Sequence, residues 1–138
     1  MSQENVEAVR GIFEGFQAAI ERGDPGAWIA DTVPEDYEWI VPGEFAGRSV
    51  WRGREEFGEF VRIWTEDFED WSIRVERLID AGDDRVVALA LQSGTEKHSG
   101  VPVEMNLGQI YELKEGRMVR VRNYFSHAEA LEAAGLRE

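Results

Sequence analysis

The chain has no cysteine, only two histidines, and no apolar run longer than a few residues in its 138 positions. Without cysteine it has no disulfide, no thiol nucleophile and no thiolate metal site, and it suits a reducing compartment, so a cytoplasmic location is expected. The longest apolar stretches are like VVALAL (86–91), far too short to span a bilayer, so no membrane association is expected. The opening MSQENVEAVRGIF carries acid where a secretory signal needs a basic and then an apolar segment. Basic residues are scarce as well: 15 Lys and Arg against 28 Asp and Glu leave a net charge of −13. A nucleic-acid partner is therefore not expected, because displacing counterions from phosphates takes clustered cations. The densest basic cluster, RMVRVR (117–122), only alternates along one strand. The acidity is read first as a source of solubility. His98 lies in the loop EKHSG and His127 directly follows a helix cap, and neither has a histidine or carboxylate four residues away, so no metal is expected. The glycines of GRSVWRGRE do not lead from a strand into a phosphate-binding helix, so no nucleotide cofactor is expected either.

What is present reads as one domain over residues 1–138, with no repeat, linker or low-complexity segment. Val6, Val9, Phe13, Phe16 and Ile20 recur three and four apart, which predicts an amphipathic helix over 2–22. Gly23 ends it, and Asp24-Pro25 starts a short helix that carries Trp28 and stops near Pro34. DYEWIV (36–41) predicts a strand halted by Pro42-Gly43. A loop follows, then a helix over 54–69 with Phe57, Phe60, Val61, Trp64 and Phe68 on its inner stripe. Strands are expected at 71–80, 85–96, 103–113 and 117–125, the last two joined by a tight turn at 114–116. Ser126 with Glu129 three residues on forms a capping box for a final helix closed by Gly135. The order implies an α+β domain in which helices cover the concave face of a curved antiparallel sheet, leaving a pocket at the open end of a cone.

These segments resemble the SnoaL-like branch of the nuclear transport factor 2-like superfamily, which includes ketosteroid isomerases and polyketide cyclases. The likeness rests on ERGDPGAW, DYEWIVPG, WRGREEFGEFVRIW, YELKEGRMVRVRNYF and AEALEAAGL, in that order along nearly the whole chain. It implies the cone-like fold, whereas activity has to be read from the site. In limonene epoxide hydrolase-like members the last strand ends in a pattern like RDYFD, whose first acid faces the cavity. The matching residue here is Asn123, which forms hydrogen bonds but cannot exchange protons near neutral pH. Those members also carry an Arg and an Asp two apart on an earlier strand, and the matching positions here are Ala90 and Gln92. Hydrolase chemistry thus lacks its acid and base. Isomerase-like members use a carboxylate just before the proline that ends the first strand, where this chain has Val41.

Alternation leaves two registers for the first strand, with either Tyr37 and Trp39 or Glu38 and Ile40 facing the cavity. The two aromatic residues favour the first and place Glu38 toward solvent. Glu38 and His127 are the candidate proton carriers. The expected ligand-binding set is Trp28, Tyr37, Trp39, Trp64, Phe68, Gln109, Tyr111, Asn123 and Phe125, an aromatic wall with amides that suits a small apolar ligand. Gln109 should find a buried partner in Asn123, Tyr111 or water. Two functional readings remain open at this point. One is small-molecule binding with isomerase- or cyclase-type acid–base chemistry, or none, on a cyclic carbonyl compound. The other is a non-catalytic binding or assembly module that uses the outer sheet face. Leu89, Leu91, Gly108 and Ile110 on that face lead to the expectation of a homodimer.

Overall fold

The computed structural model describes residues 2–136. Helix α1 (Ser2–Arg22) buries Val9 and Phe13 and packs Val6, Ile12, Phe16 and Ile20 against the same core. The carboxylate of Asp24 accepts from the Ala27 N–H at 3.3 Å, and Pro25 occupies the first turn of α2 (Pro25–Thr32). These features satisfy or remove N–H groups that a helix start would otherwise leave orphaned.

The first strand runs past the proline expected to halt it. β1 (Glu38–Phe45) turns at Ala46-Gly47, both at positive φ, and returns as β2 (Arg48–Arg52). A two-residue turn of that conformation matches strand twist, so the expected loop is a hairpin. The register shifts between Ile40 and Phe45, and this irregularity accommodates Pro42 without breaking a regular ladder. Helix α3 (Gly53–Glu66) ends earlier than expected, and Phe68 opens β3 (Phe68–Gly82) instead of closing the helix stripe. β4 (Arg85–Glu96), β5 (Pro102–Lys114) and β6 (Arg117–Tyr124) follow, then α4 (His127–Ala133), whose first turn is capped by Ser126 Oγ accepting from the Glu129 N–H. No helix among the described residues is long and apolar enough to cross a membrane.

The six strands form one unclosed sheet in the order β2-β1-β6-β5-β4-β3. The fold is the expected α+β cone, with one difference in its sheet. β1 lies parallel to β6, Trp39 opposite Val121, so the sheet is mixed and not wholly antiparallel. Alternation within a single strand carries no information about the direction of its distant partner.

Two faces emerge from the register. Val86, Ala88, Tyr111, Leu113, Met118 and Val121 share a core with α1, α2 and α3 on the concave side. On β6 the alternation that would set Val119 on the same face as Val121 is broken, because Glu112 pairs with Arg120 while Leu113 pairs with Met118. Val119 is the extra residue of this bulge, and Met118 takes the inward place. Val87, Leu89 and Ile110 point the other way and are covered by Ala130, Leu131 and Ala134 of α4. Three helices therefore line the concave face as expected, and α4 lies on the convex one. Gly108 makes its close approach possible, since a Cβ there would stand 2.6 Å from Ala130 Cβ. The apolar patch that suggested a homodimer is thus largely buried within the chain: Leu89 is 5% and Ile110 3% exposed.

Candidate functional site

Between the concave face and α1, α2 and α3 lies a cavity of about 150 Å³. Twelve of its lining residues are aromatic, in a chain with seven Phe, five Trp and three Tyr, which leaves only Trp51, Phe68 and Tyr124 elsewhere. The rings brace one another: Trp39 tilts against Phe57 at 5.0 Å and Phe60 at 5.3 Å, and Trp64 stacks on Phe60 at 6.2 Å. Phe16 meets Trp28 at 5.2 Å, and Phe45 closes on Trp64 at 5.6 Å. Offset and edge contacts of this kind hold the wall rigid as well as apolar.

Of the residues singled out from sequence, Trp28, Tyr37, Trp39, Trp64, Gln109, Tyr111, Asn123 and Phe125 line this cavity. Phe125 is 56% exposed, so it stands at the rim and not inside. Phe68 is not part of the lining. It starts β3 and packs its ring on Trp64 at 5.5 Å, behind the wall.

The buried amides form a directed relay across three strands. Tyr111 donates its hydroxyl to Gln109 Oε1 at 2.9 Å, Gln109 Nε2 donates to Asn123 Oδ1 at 2.8 Å, and Asn123 Nδ2 donates to the Ile40 carbonyl at 2.8 Å. Asn123 thereby ties β6 to β1 and β5, which explains an amide on the inner face of a strand that otherwise buries apolar residues. A third amide, Gln92, accepts from the Trp71 indole N–H at 3.3 Å. Burial pushes the Tyr111 hydroxyl far above its ordinary pKa. Tyr37 is raised as well, first by burial and then by the nearby Tyr111. Both remain protonated under ordinary conditions.

Neither candidate proton carrier reaches this space. Glu38 points to the convex face, where it binds Arg120 at 2.9 Å and Arg52 at 3.1 Å. Arg120 continues to Glu112 at 3.0 Å, so charges of alternating sign run in a row across β2, β1, β6 and β5. The hydrogen bond from Arg120 is the main cause that holds the Glu38 carboxyl below its usual pKa, and Arg52 adds to it. His127 sits outside the lining, with Nε2 2.9 Å from the Ala90 carbonyl, to which it donates. That bond fixes the tautomer and pins the start of α4 to β4.

The lining includes Glu44 and Phe45, which a first strand ending at Pro42 hides from sequence reasoning. Gly47 between EFA and RSVW is the signal for the hairpin that brings them in. Glu44 is exposed, so it lies at the rim, and it is the sole charged residue among those lining the cavity.

A six-stranded cone with three helices on its concave face and an aromatic cavity between them is the architecture of the nuclear transport factor 2-like superfamily. Residues 13–121 match the SnoaL-like domain, and the chain belongs to that family. A protein described as a SnoaL-like polyketide cyclase from Jannaschia sp. CCS1 is 20% identical and superposes with a TM-score of 0.73 over 99% of this chain and 95% of its own. TerC, co-crystallised with polyporic acid, is 18% identical with a TM-score of 0.71 over 96% of this chain and 98% of its own. A protein of ketosteroid isomerase-like fold from Catenulispora acidiphila DSM 44928, in complex with trimethylamine, is 17% identical with a TM-score of 0.68 over 90% of this chain and 92% of its own. No curated protein matches this sequence.

Proposed function

We propose that this chain binds a small, largely apolar ligand in the aromatic cavity and performs no acid–base chemistry through residues inside it. One observation carries this reading: among the residues that line the cavity there is no His, Asp, Lys or Arg, and the single carboxylate, Glu44, stands at the exposed rim. General acid–base catalysis needs a proton carrier within hydrogen-bond reach of the reacting atom. Here the interior offers two amides tied into a relay, a third amide on Trp71, and two phenols held in their protonated form. Such a set orients a ligand without exchanging protons with it. The volume favours a ligand built around a single ring, because an apolar cavity of this size accommodates a benzene-sized molecule. The alternative of an assembly module on the outer face has less support, since α4 takes most of the apolar surface there.

The test combines binding with turnover. Benzene or toluene, titrated by calorimetry, should bind the wild type, and Trp39→Ala or Trp64→Ala should change that affinity. 3-Cyclohexenone, monitored for conjugation to 2-cyclohexenone, should be converted no faster than in buffer. Conversion above background that Glu44→Gln abolishes would overturn the non-catalytic reading.

A further inference from the structure

Charge selection in the cavity follows from what its wall presents and what stands at its mouth. The indole nitrogens of Trp39 and Trp64 are buried with no partner, each exposing less than 1 Å², and the Trp71 N–H is occupied by Gln92. The positive N–H edges of these three indoles are therefore sealed into the wall or already engaged. At these three of the four lining tryptophans a ligand meets ring carbon and the negative faces of π systems instead. No lining residue is a cation, and Glu44 places one carboxylate at the rim. The chain as a whole carries −13, a field that draws cations toward the opening and repels anions.

We propose that the cavity is selective for a cationic ligand, an aromatic or aliphatic tertiary or quaternary ammonium compound, with its apolar body among the rings and its charged end turned toward Glu44. This rests on the binding reading above and adds the ligand class to it. A primary ammonium fits less well, because the amide oxygens nearest the cavity already accept from Gln109, Tyr111 and Trp71, which leaves Glu44 as the one side-chain carboxylate to receive its three N–H donors. A quaternary head spreads its charge over methyl groups, needs no hydrogen bond, and is held by aromatic faces. An anion would lose its water and find no cation and a like charge at the rim, which is costly.

A matched trio separates the possibilities. Phenyltrimethylammonium and tert-butylbenzene are isosteres that differ in charge, and 4-tert-butylbenzoate adds a carboxylate to the neutral one. Calorimetric titration of the wild type should give the cation an affinity about tenfold above the neutral isostere, the benefit expected of desolvated cation–π contact. The benzoate should not bind measurably. Glu44→Gln, an exposed position that does not endanger folding, should cut the preference for the cation over its neutral isostere by about two- to fivefold. Raising the salt concentration should weaken only the cation. Equal binding of cation and neutral isostere overturns charge selection while leaving the binding reading intact. Failure of all three to bind where toluene binds overturns charge selection alone, and failure of toluene as well overturns both. A cation preference that Glu44→Gln does not alter overturns the role given to Glu44.

Discussion

Asn123→Leu keeps the branched shape of the side chain at a larger volume and removes the centre of the relay. Gln109, 2% exposed, would lose the acceptor of its Nε2 group, and the Ile40 carbonyl would lose the Asn123 donor. A buried polar group left without its partner costs about 1–3 kcal/mol. The gain from burying an apolar side chain in place of an amide offsets part of this, so the single variant should lose about 2–3 kcal/mol of folding stability. Replacing all three members by apolar groups of similar shape, Asn123→Leu with Gln109→Met and Tyr111→Phe, removes the Gln109 amide and the Tyr111 hydroxyl together with their partners and leaves only the Ile40 carbonyl without its side-chain donor. The triple variant should then lie within about 1.5 kcal/mol of the wild type, less destabilised than the single one. Urea unfolding followed by tryptophan fluorescence measures all of these, and the coupling between positions 109 and 123 should be at least about 1 kcal/mol. Additive losses, with the triple variant the least stable, would refute the view that these residues act as one hydrogen-bonded unit.

Other expectations are more local. Glu38→Gln should cost about 0.5–1 kcal/mol near neutral pH, the scale of a partly exposed pair, and leave ligand affinity unchanged. Because the Glu38 carboxyl titrates below its unfolded value, its stabilisation is complete above that unfolded value and fades as pH falls through the folded one. The gap between wild type and Glu38→Gln should accordingly close in acid, as acid unfolding series would reveal. Gly108→Ala sets a methyl 2.6 Å from Ala130 Cβ and 3.1 Å from the Ser126 carbonyl, so it should destabilise by about 1–3 kcal/mol. Amide exchange within α4 should accelerate in this variant. Gly15→Ala would bring a Cβ to 2.5 Å of Trp28 Nε1 and displace that indole. Its expected signature is a changed affinity for toluene together with a loss of about 1–2 kcal/mol in stability.

The elements that sequence made legible are those whose signals are local. Asp24-Pro25 and Ser126 with Glu129 mark helix starts by their capping chemistry, and both caps form. Tyr37 and Trp39 face inward, as two aromatic residues in alternation suggested, and Glu38 faces outward. Departures cluster where the ladder is irregular. Pro42-Gly43 sits within a register shift instead of ending β1, and this hid Glu44, Phe45 and the whole of β2. Val119 occupies a bulge that hands its inward place to Met118. Phe68 continues the helical spacing of Phe57, Phe60 and Trp64, yet the helix stops at Glu66, so periodicity alone misassigned it. That α4 would cover Leu89 and Ile110 depends on contacts between elements, and only Gly108 hints at it. Glu38 had the residue type of a catalytic acid, but two arginines on neighbouring strands, Arg52 and Arg120, claim it.

A pH profile of toluene affinity, measured by calorimetry, addresses most directly whether the cavity lacks an internal proton carrier. Tyr37 and Tyr111 are held protonated, and neither Glu38 nor His127 belongs to the lining. The dissociation constant should therefore stay flat between about pH 6 and pH 9, within twofold or so. A sigmoidal or bell-shaped profile with its midpoint in that range, surviving in Glu44→Gln, would place a titrating group inside the cavity and contradict the proposed function.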